Sequence, residues 1–298
     1  MLLAPDEDHL RESLASFLSA LQDEVCAALE RLDGEGRFGR DLWTRAGGGG
    51  GTTRVLQGGA VLEKAGVAFS HVHGELADES GHRMAGGERR FAAVGLSIVL
   101  HPLSPMVPAA HANFRLVVRG SRAGFGGGAD LTPHYLFDED ARHFHATLKA
   151  TCDRHDPAYY PRFKEACDRY FWLPHRGEAR GVGGLFFEDM AGDAAGLSFV
   201  EDCARAFLPA WLPIAERRRT ASYGEPERFW QEIRRGRYVE FNLMRDRGTA
   251  FGLETGGRTE SIFVSLPPRA RWAYDHRPAA GSEEARLVEV LRAPRAWV

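Results

Sequence analysis

The chain has 298 residues, 44% hydrophobic and 27% charged, which is typical of a globular protein with a sizeable core. A net charge of −3 argues against a general nucleic-acid binder, which would be basic. The longest apolar run, near 94–100, is far below the roughly 20 residues of a membrane-spanning helix, so no integral membrane segment is predicted. The four cysteines lack a C-x-x-C spacing and no signal peptide is recognisable, which predicts reduced thiols in a cytoplasmic protein.

An amphipathic helix opens the chain, because apolar residues recur at helical spacing from Leu10 to Leu29. We expect it to span about 8–32 and to pack on the core. The glycine run Gly47–Gly51 follows, and it lacks the G-K-[ST] of a phosphate-binding loop, so it predicts no nucleotide site. Beyond it, the pattern predicts strands at 53–57 and 67–73 and then a polar, glycine-rich loop at 74–90.

Alternation of apolar and polar residues predicts a β-hairpin over 94–119. Residues two apart in a strand lie on the same face, about 7 Å from each other. One face of this hairpin is therefore apolar, and the other collects polar side chains suited to an anionic ligand. The polar residues are Ser97, His101, His111, Asn113 and Arg115.

The second half of the chain mixes helices and strands. Helices are predicted at about 138–154, 158–171, 197–220, 225–235 and 282–293, and strands at 183–188, 237–244, 249–254 and 259–266. The last three strands form a predicted meander joined by glycine-containing turns. Several connections are too short for a parallel crossover, and we find no repeat and no domain boundary. The sequence therefore predicts a single α+β domain with a large antiparallel sheet covered by helices.

Acidic and cationic side chains outside the hairpin are further site candidates. Asp130 follows a G-G-G segment, and Asp246 lies in a turn between two arginines, where an aspartate is usually a local hydrogen-bonder. A guanidinium binds a carboxylate through two hydrogen bonds, so Arg258 suits an acidic ligand. Gly256 and Gly257 before it would let the backbone approach that ligand, although a G-G-R turn can also be a simple hairpin.

Seven motifs occur in one order between His111 and Ile262. They are H-A-N-F-R, G-G-G-A-D-L-T-P, H-F-H, R-G-V-G-G-L-F-F-E-D, R-R-G-R-Y-V-E-F-N-L, D-R-G-T-A-F-G-L and G-G-R-T-E-S-I. Together they resemble the oxygen-dependent coproporphyrinogen III oxidase family, and the resemblance runs over about 38–298. One departure precedes Gly126, where family members often carry a longer loop with two tryptophans and this chain retains only Phe125.

The resemblance implies a flat antiparallel sheet between two helical layers and an aerobic oxidative decarboxylation. The ring A and B propionates of coproporphyrinogen III would become vinyl groups, giving protoporphyrinogen IX for haem biosynthesis. Molecular oxygen would be the co-substrate, CO₂ and H₂O₂ the by-products, and no organic cofactor is expected. A homodimer is expected, because the predicted meander ends in the apolar strand S-I-F-V-S-L at 261–266, which could form a symmetric contact with a second copy. The resemblance also implies a homodimer with contacts in 238–273.

The resemblance assigns roles to individual positions. We assign His111 as the general acid, and Asp246 and Asp130 as candidate anchors or bases. Asp246 also matches an acid that is proposed in the family to bind the pyrrole nitrogens. The matching substrate contacts are Ser97, Asn113, Phe114, Arg115, Gly256, Gly257 and Arg258. The positions that match proposed divalent-metal ligands of bacterial members are His101, His111, His145 and His175.

Two alternatives stay open at this point. A non-haem metal oxygenase acting on another acid would use the same histidines, and it would depend on iron. A non-catalytic tetrapyrrole carrier would use the same arginines, and it would bind without oxygen uptake. An assay of coproporphyrinogen III with and without oxygen separates the three functions.

Overall fold

A seven-stranded antiparallel sheet lies between two layers of helices in the computed structural model, which describes residues 5–75, 90–120, 122–254 and 257–298. The strands are β1 (Gly39–Thr44), β2 (Gly49–Gln57), β3 (Leu62–Glu75), β4 (Arg90–Pro102), β5 (Ala109–Arg119), β6 (Arg122–Thr132), β7 (Trp172–Leu173), β8 (Glu178–Ala179) and β9 (Gly183–Ala191). The helices are α1 (Pro5–Asp33), α2 (Asp138–Asp153), α3 (Tyr159–Tyr170), α4 (Ala194–Arg218), α5 (Glu225–Met244), α6 (Arg247–Glu254), α7 (Thr259–Phe263) and α8 (Glu283–Arg292). The large sheet has the order β1-β2-β3-β4-β5-β6-β9, and β7 and β8 form a separate pair. This architecture confirms the predicted α+β class.

The predicted hairpin is formed by β4 and β5, and its register is as the alternation required. Ser97 lies opposite Asn113, and Val99 lies opposite His111, so the polar residues share one face. We call this side of the sheet the polar face. The opposite side is the apolar face, whose buried residues include Leu96, Ile98, Leu100, Ala112, Phe114 and Leu116.

Each face of the sheet carries its own helical layer. The apolar face packs against α1, α2 and α4 in one continuous core, and α1 contributes its predicted leucine stripe to that core. The polar face is bordered by α5 and α7. Tyr238 of α5 contacts the His101 ring at a centroid distance of 5.1 Å, and Ser261 of α7 lies 2.8 Å from the Thr53 hydroxyl. The polar face is therefore partly covered rather than fully exposed.

The predicted strand at 237–244 is wrong, because α5 continues through these residues to Met244. The prediction ended the helix at 235, before Gly236. Gly236 does not end the helix. A Cβ at its position would lie 2.7 Å from the Arg271 carbonyl oxygen, so the absence of a side chain allows the segment that contains Arg271 to cross α5 closely.

The strands predicted at 249–254 and 259–266 are also wrong, since these segments form α6 and α7. The Lys64 ammonium donates to the carbonyls of Phe263 and Leu266 at 3.3 and 2.7 Å. The Phe263 carbonyl lies at the C-terminus of α7, where carbonyls have no partner within the helix and a cation is favourable, so the Lys64 ammonium stabilises this short helix and the chain that follows it. No apolar strand is left at 261–266 to pair with a second copy.

Two strands of the sheet, β1 and β6, were not predicted as strands. The G-G-G segment lies inside β6, not in a turn. A Cβ at Gly128 would lie only 2.1 Å from the Leu185 carbonyl oxygen, so the strand packs too closely on β9 for any side chain there. The predicted loop at 74–90 falls mainly on 76–89, outside the described residues.

All four cysteines are free thiols, as predicted, and all four are buried. Burial raises the pKa of Cys26 to about 12 and also raises the pKa values of Cys167 and Cys203. Among the described residues, no helix is both long enough and apolar enough to cross a membrane.

Asp33 ties the end of α1 to the start of β3, and we expect its removal to destabilise the fold. Its carboxylate accepts four backbone N–H groups, from Gly36, Ala60, Val61 and Leu62. Asp33→Ala leaves these donors without an acceptor and should lower the free energy of unfolding by roughly 2–5 kcal/mol. Urea denaturation measures this, and Glu24→Ala on the exposed side of α1 should change stability by less than about 0.5 kcal/mol.

Candidate active site

A histidine and an aspartate face each other on adjacent strands of the polar face. His111 of β5 lies directly opposite Asp130 of β6, and its Nδ1 is 2.9 Å from the Asp130 Oδ1. The His111 side chain is 24% exposed, whereas the Asp130 side chain is only 2% exposed. The aspartate therefore holds the imidazole by one nitrogen, and the other nitrogen, Nε2, is left for a ligand.

Arg180 is the buried partner of Asp130 in this group. It donates through Nη2 to both Asp130 oxygens at 2.8 Å, and through Nη1 to the Asn242 Oδ1 at 3.0 Å. The guanidinium is fully buried among three rings, Phe171, Tyr238 and Phe241, at 4.1–4.7 Å from their centroids. Aromatic faces stabilise a desolvated cation, so these three rings partly replace the hydration that the Arg180 guanidinium has lost.

The charges around Asp130 keep it ionised despite its burial. Burial alone would raise the pKa of this carboxyl, but the Arg180 guanidinium and the hydrogen bond from His111 outweigh it, and the pKa lies below its ordinary value. An ionised Asp130 fixes the ring orientation and the tautomer of His111, with the proton on Nδ1. This arrangement suits proton transfer at Nε2.

Asp246 lies at the junction of α5 and α6, and it faces the same region. Its Oδ2 accepts from the backbone N–H and the hydroxyl of Thr249 at 2.8 Å each, and its Oδ1 accepts from the Tyr170 hydroxyl at 2.8 Å. Burial raises its pKa, but these hydrogen bonds and the nearby His111 lower it below the ordinary value. Of the two flanking arginines, Arg247 forms an ion pair with Glu188.

Three arginines from the motifs quoted above border the polar face, and each has a carboxylate partner. Arg115 and Arg247 both bind Glu188, at 3.0 and 2.8 Å. Arg258 lies 2.5 Å from Asp41 on the edge strand β1. Guanidinium groups therefore stand at both ends of the face, so an elongated anionic ligand could be bound along it.

The remaining predicted contacts are divided. Ser97 and Asn113 lie on the polar face, as predicted, whereas the Phe114 side chain is 1% exposed on the apolar face. Phe114 belongs to the core because alternation along β5 directs its side chain to the face opposite that of Asn113 and Arg115. Gly257 donates its N–H to the Gly252 carbonyl at 2.7 Å, and Gly256 is outside the described residues.

The chain is similar to one known protein family along nearly its whole length. The sequence model described as "Coproporphyrinogen III oxidase" matches residues 13–297. The chain is also 46% identical over 313 residues to "Oxygen-dependent coproporphyrinogen-III oxidase, chloroplastic" of Glycine max, which covers 99% of this chain and 81% of the relative. The chain belongs to the coproporphyrinogen III oxidase family. The ordered motifs had indicated the same family from the sequence alone.

The four histidines suggested as metal ligands in this family do not form one centre here. His101 and His111 share the polar face, but His145 belongs to α2 in the layer on the apolar face. Both nitrogens of His145 are engaged, by the Tyr160 hydroxyl at 2.9 Å and the Val182 carbonyl at 3.1 Å. Burial lowers its pKa to about 3, so it is a neutral core histidine. Within the described ranges, no three His, Cys, Asp or Glu side chains are arranged to hold a metal ion.

His175, the fourth predicted ligand, is part of an ion cluster around Glu240. The Glu240 carboxylate accepts from His175 at 2.8 Å, from Arg176 at 2.6 and 2.9 Å, from Arg237 at 3.0 Å and from Trp272 at 2.9 Å. These contacts tie α5 to the turn between β7 and β8 and to the chain that crosses Gly236. The role of His175 in the structure is therefore cohesion of the polar-face layer.

Sequence reasoning missed two residues of this site. Arg180 stands at the start of the quoted R-G-V-G-G motif, but that motif supported only the family resemblance. Tyr170, which binds Asp246, was placed in a helix without a role. An isolated arginine before a glycine-rich strand is the available signal for Arg180, since such a charge in a buried segment requires a partner.

Glu240→Gln should destabilise the protein in a pH-dependent manner. Burial raises the pKa of Glu240, but Arg176 and the other partners lower it to about 2, below its ordinary value of 4.5. The stability that this shift contributes is complete above pH 4.5 and is lost as pH falls towards 2. We expect a loss on the order of 3 kcal/mol at pH 7 that shrinks below pH 4.5.

Urea denaturation of Glu240→Gln and the unchanged protein at pH 7 and at pH 3 measures this difference. Glu165→Gln on the exposed side of α3 is the matched control, and it should show little difference at either pH. A Glu240→Gln deficit of equal size at both pH values would contradict the assignment.

Proposed function

We propose that this protein catalyses the aerobic oxidative decarboxylation of coproporphyrinogen III to protoporphyrinogen IX. At each of the ring A and ring B propionates, a CH₂–CH₂–COOH group and one O₂ give a vinyl group, CO₂ and H₂O₂. Family membership over nearly the whole chain carries this proposal. The site supports it, because a proton-transfer histidine lies on a sheet face bordered by guanidinium groups.

His111 is the proposed catalytic acid and base. A propionate becomes a vinyl group when a hydrogen leaves the carbon next to the ring and the carboxyl group leaves as CO₂. Nε2 can accept or return a proton at the reacting atoms while Asp130 holds Nδ1. Asp130 is too buried to touch substrate, so we assign it as a positioning residue, supported in turn by Arg180.

Asp246 and the arginines are the proposed binding groups. A carboxylate that is ionised and close to His111 can accept hydrogen bonds from pyrrole N–H groups. Arg115, Arg247 and Arg258 are suited to the propionates. The electron-rich porphyrinogen reacts with O₂ itself, and the protein supplies orientation and proton transfer. The predicted metal enters no step, because the four histidines do not converge.

A homodimer is part of the proposal, and exposed apolar residues support it. Trp272 donates a hydrogen bond to Glu240, and Leu243 and Met244 follow Glu240 by about one turn of α5. The exposed fractions of Trp272, Leu243 and Met244 are 55%, 52% and 64%. Exposed groups of this kind are typical of contact surfaces. They lie in or beside the predicted contact region 238–273, although the contact would be helical and not an edge strand.

A cytoplasmic location is proposed on the four reduced thiols, which suit a reducing compartment. The word "chloroplastic" describes the Glycine max relative.

Incubation of the purified protein with coproporphyrinogen III in aerobic and anaerobic buffer tests the function. Chromatography should show a divinyl product only with O₂, together with H₂O₂. Binding without any vinyl product would contradict the proposal and favour a tetrapyrrole carrier.

Removal of divalent ions should leave turnover unchanged. The donor set does not converge, so we expect the protein dialysed against a chelator to retain its kcat and KM. Elemental analysis confirms that the metal has been removed. A loss of activity that Mn²⁺ or Mg²⁺ restores would show a metal centre built from other residues.

His111→Ala should lower kcat by about 10²–10⁴-fold, the usual contribution of general acid–base catalysis. Its thermal midpoint should change little, because the side chain is partly exposed. His143→Ala is the control: this histidine lies on α2, where its Nε2 is 3.0 Å from the Pro209 carbonyl oxygen. Equal losses of kcat in both variants would refute the role of His111.

A further inference from the structure

Glu188 bridges two of the arginines proposed to bind propionates. One oxygen accepts from Arg115 at 3.0 Å, and the other accepts from Arg247 at 2.8 Å. The three side chains are 32%, 33% and 62% exposed, in the order Glu188, Arg115, Arg247. A carboxylate that uses each oxygen for a different guanidinium has the geometry that a bound propionate would have.

The path of Arg115 to Glu188 is built into the sheet. Glu188 lies on β9, so the Arg115 side chain must cross β6, which lies between the two strands. It crosses at Gly126, where an added Cβ would lie 3.1 Å from the guanidinium carbon. Asn113 accepts a second hydrogen bond from Arg115 at 2.9 Å. The guanidinium is therefore held in place independently of Glu188.

Arg247 is held independently as well. Its guanidinium lies over the Tyr170 ring at 4.9 Å, and its backbone N–H donates to the Tyr170 hydroxyl at 3.3 Å. Two fixed guanidinium groups thus share a single carboxylate, and the group of three keeps a net positive charge. Partly exposed ion pairs are weak, so exchanging one carboxylate partner for another costs little free energy.

We propose that Glu188 is an internal carboxylate that occupies the propionate position between Arg115 and Arg247 and gives way when substrate binds. The inference rests on the proposed function, since it concerns how that substrate enters. Its consequence is selectivity. A small anion such as acetate must displace Glu188 with one contact, whereas a tetracarboxylate gains other contacts at the same time.

Glu188→Gln tests the proposal, with coproporphyrin III as the probe. This oxidised porphyrin carries the same four propionates and does not react further, so its dissociation constant is measured by fluorescence titration. Removing the competing carboxylate should tighten binding roughly fivefold, the size expected from losing weak ion pairs. Acetate should also become a better competitor. Glu165→Gln, which removes the same charge on α3, should bind coproporphyrin III as the unchanged protein does.

Glu188→Asp separates contact from charge. It keeps the charge and shortens the side chain by one methylene, so it should break one of the two contacts and give an intermediate affinity. Unchanged affinity in Glu188→Asp together with tighter binding in Glu188→Gln would mean that only long-range charge matters, and it would overturn the proposal. Equal or weaker binding by a folded Glu188→Gln, checked by circular dichroism, would also overturn it.

The two proposals fail in different ways. If the unchanged protein forms vinyl product but Glu188→Gln does not bind coproporphyrin III more tightly, only the role of Glu188 is refuted. If the binding series behaves as expected but no vinyl product forms with O₂, the catalytic function is refuted and Glu188 still governs the anion site.

Discussion

The buried ion pair between Asp130 and Arg180 is the contact on which the polar face depends. Both side chains are 2% exposed, so each charge has lost its hydration, and neither would be tolerated without the other. The pair joins β6 to the chain that precedes β9, and through Asn242 it reaches α5. This one interaction therefore links β6, the chain before β9, α5 and the orientation of His111.

A buried pair of this kind is poor evidence for high stability, because hydrophobic side chains of the same size often serve as well. Its value here lies in position. The pair lies beneath the partly exposed His111, and three aromatic rings exclude water around the cation. The site thereby combines a rigid, dry foundation with a ring nitrogen that faces the ligand side, which is what preorganised proton transfer requires.

Much of the sheet could be predicted from the sequence because one of its faces is buried. In β4 and β5, a slip of one residue would turn every apolar side chain towards the polar face, so alternation specifies both strands and their pairing. The segment R-Y-V-E-F-N-L was wrongly predicted as a strand, because its pattern fits both a strand and a helix and because Gly236 suggested that the helix ends there. The deciding fact, a carbonyl from Arg271 passing over that glycine, is a contact between distant segments.

The candidate site was predictable to a similar extent. His111, Asn113 and Arg115 followed from strand alternation, and Asp130 from its motif. The partners Arg180 and Tyr170 come from loops and helices whose positions depend on tertiary packing, so no spacing rule reveals them. The four histidines predicted as metal ligands do not meet in one centre, for the same reason. Their positions in the sequence do not show on which side of the sheet each side chain lies.

The burial of all four thiols has a consequence for an enzyme proposed to release H₂O₂. Peroxide attacks thiolates, and a thiol with a raised pKa is rarely ionised. Cys26, Cys167 and Cys203 are therefore poor targets, and Cys152 is equally inaccessible. Peroxide formed at the site would therefore leave these four thiols reduced through repeated turnovers.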